Sequence, residues 1–66
     1  MKNPVAVKIN SKELTLELQE GLLQFGMQIV PSDEKGYTVF MMEAAEGEEV
    51  KMTKAIDNFL YRSGVL

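Results

Sequence analysis

Neither cysteine nor histidine occurs among the 66 residues of this chain, and that absence constrains its fold more than any motif within it. A domain this short buries only roughly 60% of the surface its unfolded chain exposes. Small folds often compensate with a disulfide, a structural metal or a partner subunit. Disulfides and thiolate sites are excluded here, and zinc has lost both of its preferred ligand types. Apolar packing must therefore hold the fold, helped if at all by another polypeptide. A hydrophobic content of 45% is enough for such a core and sets the chain apart from disordered compositions. Residues 1–66 read as a single small domain.

Charge is unevenly spread. The net value is −3, but nine of the ten acids fall within residues 13–49, beside Lys35 alone. Lys2, Lys8 and Lys12 lie before this stretch, and Lys51, Lys54 and Arg62 lie after it. An acidic chain repels nucleic-acid backbones unless its bases gather on one face, so nucleic acid is not the expected partner. No apolar run approaches the length of a membrane span. Met1-Lys2-Asn3-Pro4 has no signal-peptide character, and a cytoplasmic location without a membrane partner is the expectation.

Hydrophobic periodicity gives the architecture. Val5, Val7 and Ile9 alternate with Ala6, Lys8 and Asn10, and Leu14, Leu16 and Leu18 alternate with Thr15, Glu17 and Gln19. Period two is the signature of a half-buried strand, and Asn10-Ser11-Lys12-Glu13 between the runs is turn-forming. Leu23, Phe25, Met27 and Ile29 continue the alternation past Gly21 as a third strand. A fourth follows the Pro31–Gly36 loop, at Tyr37–Met42, with apolar residues on both faces. Glu48 and Glu49 then sit where a helix start favours negative charge. Met52, Ala55, Ile56, Phe59 and Leu60 share one helical face, and Gly64 marks the stop. The expected fold class is α+β, a four-stranded antiparallel β-meander with one C-terminal helix from about 48 to about 62 (ββββα). The alternative is β-α-β-β-α. In it Leu14, Leu18, Leu22 and Phe25 line a helix over 12–25, capped by Ser11 and closed by Gly26. The strand reading is preferred because the alternation is unbroken and glycine is a poor helix residue.

Without histidine and cysteine, the usual catalytic acids, bases and nucleophiles are missing. No serine lies in a G-x-S-x-G elbow and no phosphate-binding glycine loop is present. An enzyme is not expected, and neither is a cofactor. Glu43, Glu46, Glu48 and Glu49 are the densest carboxylate cluster, but the ligand order of a calcium loop is missing, so they read as a helix start and no metal is expected.

What remains is surface. Val50 and Tyr61 share a bearing on the outer side of the C-terminal helix, framed by Lys54 and Arg62. Aromatics and arginine are enriched at partner surfaces, so Val50, Lys54, Tyr61 and Arg62 are the candidate partner-binding residues. The doubly apolar fourth strand makes Phe40 and Met42 candidates for a homodimer interface. The leading functional reading is a non-enzymatic protein–protein interaction module (a regulator, inhibitor or adaptor) acting on another protein, on itself as a homodimer, or on both. The alternative is a single-stranded nucleic-acid-binding domain using the sheet, and a structural subunit of a larger assembly is the third reading.

Val7-Lys8-Ile9-Asn10-Ser11-Lys12-Glu13-Leu14 resembles the first hairpin of β-grasp proteins, over that stretch alone. With Gly64-Val65-Leu66 in place of a terminal Gly-Gly, a sulfur-carrier or modifier role is not expected. A ββββα meander is similar in architecture to whirly and coactivator-type domains, which implies a single-stranded nucleic-acid-binding sheet. Such sheets need a basic groove with aromatic platforms. The expected outward residues Glu13, Thr15, Glu17, Gln19, Gln24 and Gln28 supply neither.

Overall fold

The first alternating run forms the strand it predicts. In a computed structural model, which describes residues 2–65, β1 spans Lys2–Asn10 and buries Val5 and Ile9, with Val7 half-buried. The Asn10 side-chain oxygen accepts from the Lys12 N–H and its carbonyl accepts from the Glu13 N–H. This local turn ends the strand.

The second run is a helix. α1 spans Leu16–Gln24, and Thr15 is its N-cap, its hydroxyl accepting from the Leu18 N–H at 3.1 Å. That bond satisfies a donor the first turn leaves open. Leu18 and Leu22, one turn apart, are buried, whereas Leu16 is exposed. The alternation of Leu14, Leu16 and Leu18 therefore carried no strand information. At the far end Gly26 takes φ +96°. Its N–H donates to the Leu23 carbonyl, and the Met27 N–H donates to the Leu22 carbonyl. This is a Schellman closure, which favours glycine at the left-handed position and an apolar contact between the two flanking residues. Leu22 and Met27 are both fully buried.

β2 spans Gln28–Val30, β3 spans Tyr37–Ala45 and α2 spans Glu49–Arg62. α2 closes as α1 does: Gly64 has φ +80°, its N–H donates to the Tyr61 carbonyl, and the Val65 N–H donates to the Leu60 carbonyl. Val65 packs half-buried against the core, while Leu66, expected to dock with it, lies outside the described residues. The fold is thus α+β with a three-stranded antiparallel sheet and two helices, in the order β-α-β-β-α. The four-stranded ββββα meander is corrected. Residues 7–14 form no hairpin either, because the segment after the turn is helical. With the meander and the hairpin go the architectural likenesses that rested on them.

The strand order is β1-β3-β2, and β3 is antiparallel to both neighbours. β1 and β2 therefore run parallel, joined through α1 and separated by β3, a split β-α-β arrangement. Buried positions keep one parity: Val5 and Ile9 on β1, Phe40 and Ala44 on β3. Phe40, at the middle of the central strand, is 0% exposed. Both helices contribute to the same cluster, through Leu18 and Leu22 of α1 and Ile56 and Leu60 of α2. One sheet face thus carries the whole core.

The two helices meet at Gly21. A Cβ built there would lie 2.2 Å from the tip of the Phe59 ring, so only glycine lets that ring lie against the α1 backbone. The ring is held on its other side by Phe25, edge-to-face at 5.7 Å. Glycine inside a helix costs roughly 0.5–1 kcal/mol relative to alanine. We expect Gly21→Ala to destabilise the protein nonetheless, because the ring must be displaced. In a Phe59→Leu background the same change should become neutral or stabilising by up to about 1 kcal/mol. Urea denaturation of the four chains measures this; equal effects of Gly21→Ala in both backgrounds would refute the contact.

Candidate interaction surfaces

A sheet covered on one face leaves the other to solvent. The register puts Ala6, Met41 and Gln28 in one row of that open face, and Lys8, Val39 and Val30 in the next. Pro4 lies opposite Glu43 on one side of these rows and Asn10 opposite Tyr37 on the other. Met41 is 37% exposed and Val39 half-buried. The face is an apolar centre with charges at its rim. Phe40 and Met42 point the opposite way, into the core. Phe40 and Met42, the candidates for a homodimer interface, thus lie on the covered face, and Val39 and Met41 of the same strand lie on the open one. With period two, a single step along the strand exchanges the faces.

Lys8 anchors the open face to the loop before β3. Its Nζ lies 2.6 Å from Glu34 Oε2 and 5.6 Å from the centre of the Tyr37 ring. The hydrogen bond and charge of Glu34 hold the Lys8 ammonium above its ordinary pKa.

The strand edges differ. The Ser11 N–H donates to the Gly36 carbonyl at 2.8 Å, extending the register that pairs Asn10 with Tyr37. Hydrogen-bonded pairs alternate along an antiparallel ladder. Asn3, Val5, Val7 and Ile9 accordingly turn their backbone groups toward β3, and Lys2, Pro4, Ala6 and Lys8 turn theirs outward. Pro4, which has no N–H, sits where none is needed by β3. The edge of β2 is much shorter, and only Ile29, between the paired Gln28 and Val30, has its backbone free on that side.

On α2, Val50 is 65% and Tyr61 72% exposed. At about 100° per residue, Val50, Lys54, Asp57 and Tyr61 fall within roughly a 60° arc. Phe59, which touches α1, lies on the opposite flank. The stripe therefore faces away from α1, on the side of β1. Arg62 does not join it. It lines a cleft of about 410 Å³ between the start of α1 and the end of α2, with Glu13 and Glu17 on the other wall. Of the four candidate partner residues, the fold groups Val50, Lys54 and Tyr61 and separates Arg62.

The acidic start of α2 has a structural task. Glu48 is the N-cap but makes no side-chain cap bond. The neighbouring Glu49 accepts from the Gly47 N–H at 3.1 Å and from the Asn3 amide on β1. Among the described residues no group of three acids is placed to hold a metal ion, no buried side chain is polar or charged, and no helix is long and apolar enough to cross a membrane. No family model, curated protein or solved structure matches this chain.

Asn3 first, then backbone N–H groups, hold the Glu49 carboxyl below its ordinary pKa. A carboxyl depressed in the folded state contributes stability above its unfolded pKa and loses it as pH falls through the folded value. The stability gap between the wild type and Glu49→Gln should therefore be larger near neutrality and shrink toward acid. Denaturation curves at several pH values read this directly, and a gap that widens on acidification would contradict the assignment.

Proposed function

We propose that this chain is a small protein–protein interaction module that works by occupying a surface, its own copy included, and performs no chemistry. The observation that carries the reading is the one-sided sheet: both helices cover the face of Phe40, and the opposite face presents Ala6, Val30, Val39 and Met41 to solvent. The exposed Val50 and Tyr61 of α2 add apolar surface beside β1. Apolar surface rimmed by charge is the usual form of a protein contact. A regulator, inhibitor or adaptor needs no more than this, and a subunit of a larger assembly would use the same surfaces.

A second reading has one observation in its favour. Tyr37 and the cations Lys2 and Lys8 share the open sheet face, the residue types with which a sheet holds single-stranded nucleic acid. Lys8 is already engaged by Glu34, and Glu43 stands on the same face, so the first reading is preferred.

Absolute mass by light scattering after size exclusion, over a dilution series from about millimolar to about micromolar, tests self-association. Dissociation constants of protein contacts of modest size fall in or below this range. A dimer that dissociates on dilution is expected, and a monomer throughout would remove self-association from the proposal. Anisotropy of a labelled single-stranded oligonucleotide at low salt should show no binding. A strongly salt-dependent signal would favour the second reading instead.

A further inference from the structure

We infer that the copy-to-copy contact is an antiparallel pairing of β1 with β1 of a second copy about a twofold axis at Ala6, sealed by α2 packing on the partner's α2. This rests on the self-association just proposed and specifies its geometry.

Three observations converge on it. The first is the ladder phase. The free edge of β1 offers the backbone groups of Lys2, Ala6 and Lys8 and the Pro4 carbonyl. Antiparallel self-pairing that overlaps the whole of Lys2–Asn10 with itself has a single register, with Ala6 on the axis. It sets Pro4 opposite Lys8 of the partner subunit and Lys2 opposite Asn10 of the partner subunit. No lysine then faces a lysine, whereas moving the axis to Val5, a slip of two residues in register, sets Lys2 opposite the partner's Lys8. Like charges directly opposite are destabilising.

The second observation is spacing. α2 touches both β1 and β3, and so lies over the gap between them, about 2.4 Å inside β1 given strands about 4.8 Å apart. The proposed axis lies about 2.4 Å outside β1 on the same spacing. The two copies of α2 then run about 10 Å apart, at the outer limit of the separation at which helices pack.

The third is the α2 stripe itself. Asn3 holds Glu49, so α2 starts level with Asn3. Ala6 lies about 10 Å further along β1 at roughly 3.3 Å per residue. At roughly 1.5 Å per residue, about 10 Å along α2 falls between Ala55 and Ile56. A twofold axis there brings Val50 opposite the partner's Tyr61 and Lys54 opposite the partner's Asp57. The stripe is thus self-complementary, apolar to apolar and cation to anion, about the point that the β1 register selects independently.

The chain has no cysteine of its own, so an introduced thiol reports geometry without interference. Paired residues at a hydrogen-bonded position lie about 5.5 Å apart between Cα atoms, within disulfide range. Ala6→Cys should oxidise to a covalent dimer at the rate of a preformed contact, and Met41→Cys on the open face should not. Lys54→Glu and Asp57→Lys should each weaken the dimer at least tenfold. Mixing the two variants should restore it as a heterodimer, which a charge pair confined to one helix would not do. Cross-linking of Met41→Cys instead of Ala6→Cys would overturn edge pairing while leaving self-association intact. A wild-type monomer at every concentration would overturn both, and would identify Lys2, Pro4 and Lys8 as guards that keep the edge single.

Discussion

The contact of the Phe59 ring with the bare backbone at Gly21 sets the layout of the whole domain. It brings α1 and α2 side by side on one face of a three-stranded sheet, where together they cover the central row that contains Phe40. A chain with no disulfide or metal has only such packing to rely on. If the helices were held further apart by a side chain at residue 21, the groove between them would open over Phe40. The lost helix propensity at Gly21 is thus exchanged for closure of the core.

That contact also explains where sequence reasoning failed. Gly21 counted against a helix because glycine disfavours helices, yet it sits inside α1 for a tertiary reason invisible in local sequence. The Leu14–Leu18 alternation pointed to a strand, because a short apolar run satisfies either period. What distinguished them was Thr15 as a cap and Gly26 as a closure, and Gly26 was legible in the alternative reading. α2 was readable in full: its acidic start, its stripe of Met52, Ile56, Phe59 and Leu60, and Gly64 at its end all act locally. The parity of β3 was not. Both of its faces are apolar, and only the position of the helices decides that Phe40 is core and Met41 is surface.

The candidate surfaces divide in the same way. Val50, Lys54 and Tyr61 are grouped by helical period alone, and that survives folding. Arg62 shares their helix, but its bearing turns it toward Glu13 and Glu17, which no local pattern links to it. The importance of β1 as an edge was absent from the sequence reading, since edge status belongs to strand order and not to any strand's own residues. Pro4 was the one available signal. The ladder phase shows why a proline is tolerated there: its missing N–H lies on the side where β1 has no strand of its own copy beside it.

Closure follows from the contrast between the two edges. Unpaired strand edges invite open-ended addition, and a chain with two long ones would grow into a filament. Here β2 offers one residue's free backbone, at Ile29, and Pro31 ends it. β1 offers nearly its full length, but Pro4 removes one donor, and Lys2 and Lys8 exclude registers that bring them face to face. The proposed twofold pairing would use each copy's long edge once and leave only the two short β2 edges at the ends, so that assembly would stop at two. It also places the open faces of both copies side by side, making one continuous surface of Ala6, Val39 and Met41 across the axis. On the proposed pairing, dimerisation does not consume that face. It doubles it, so that a further protein would meet a larger apolar surface than either copy presents alone.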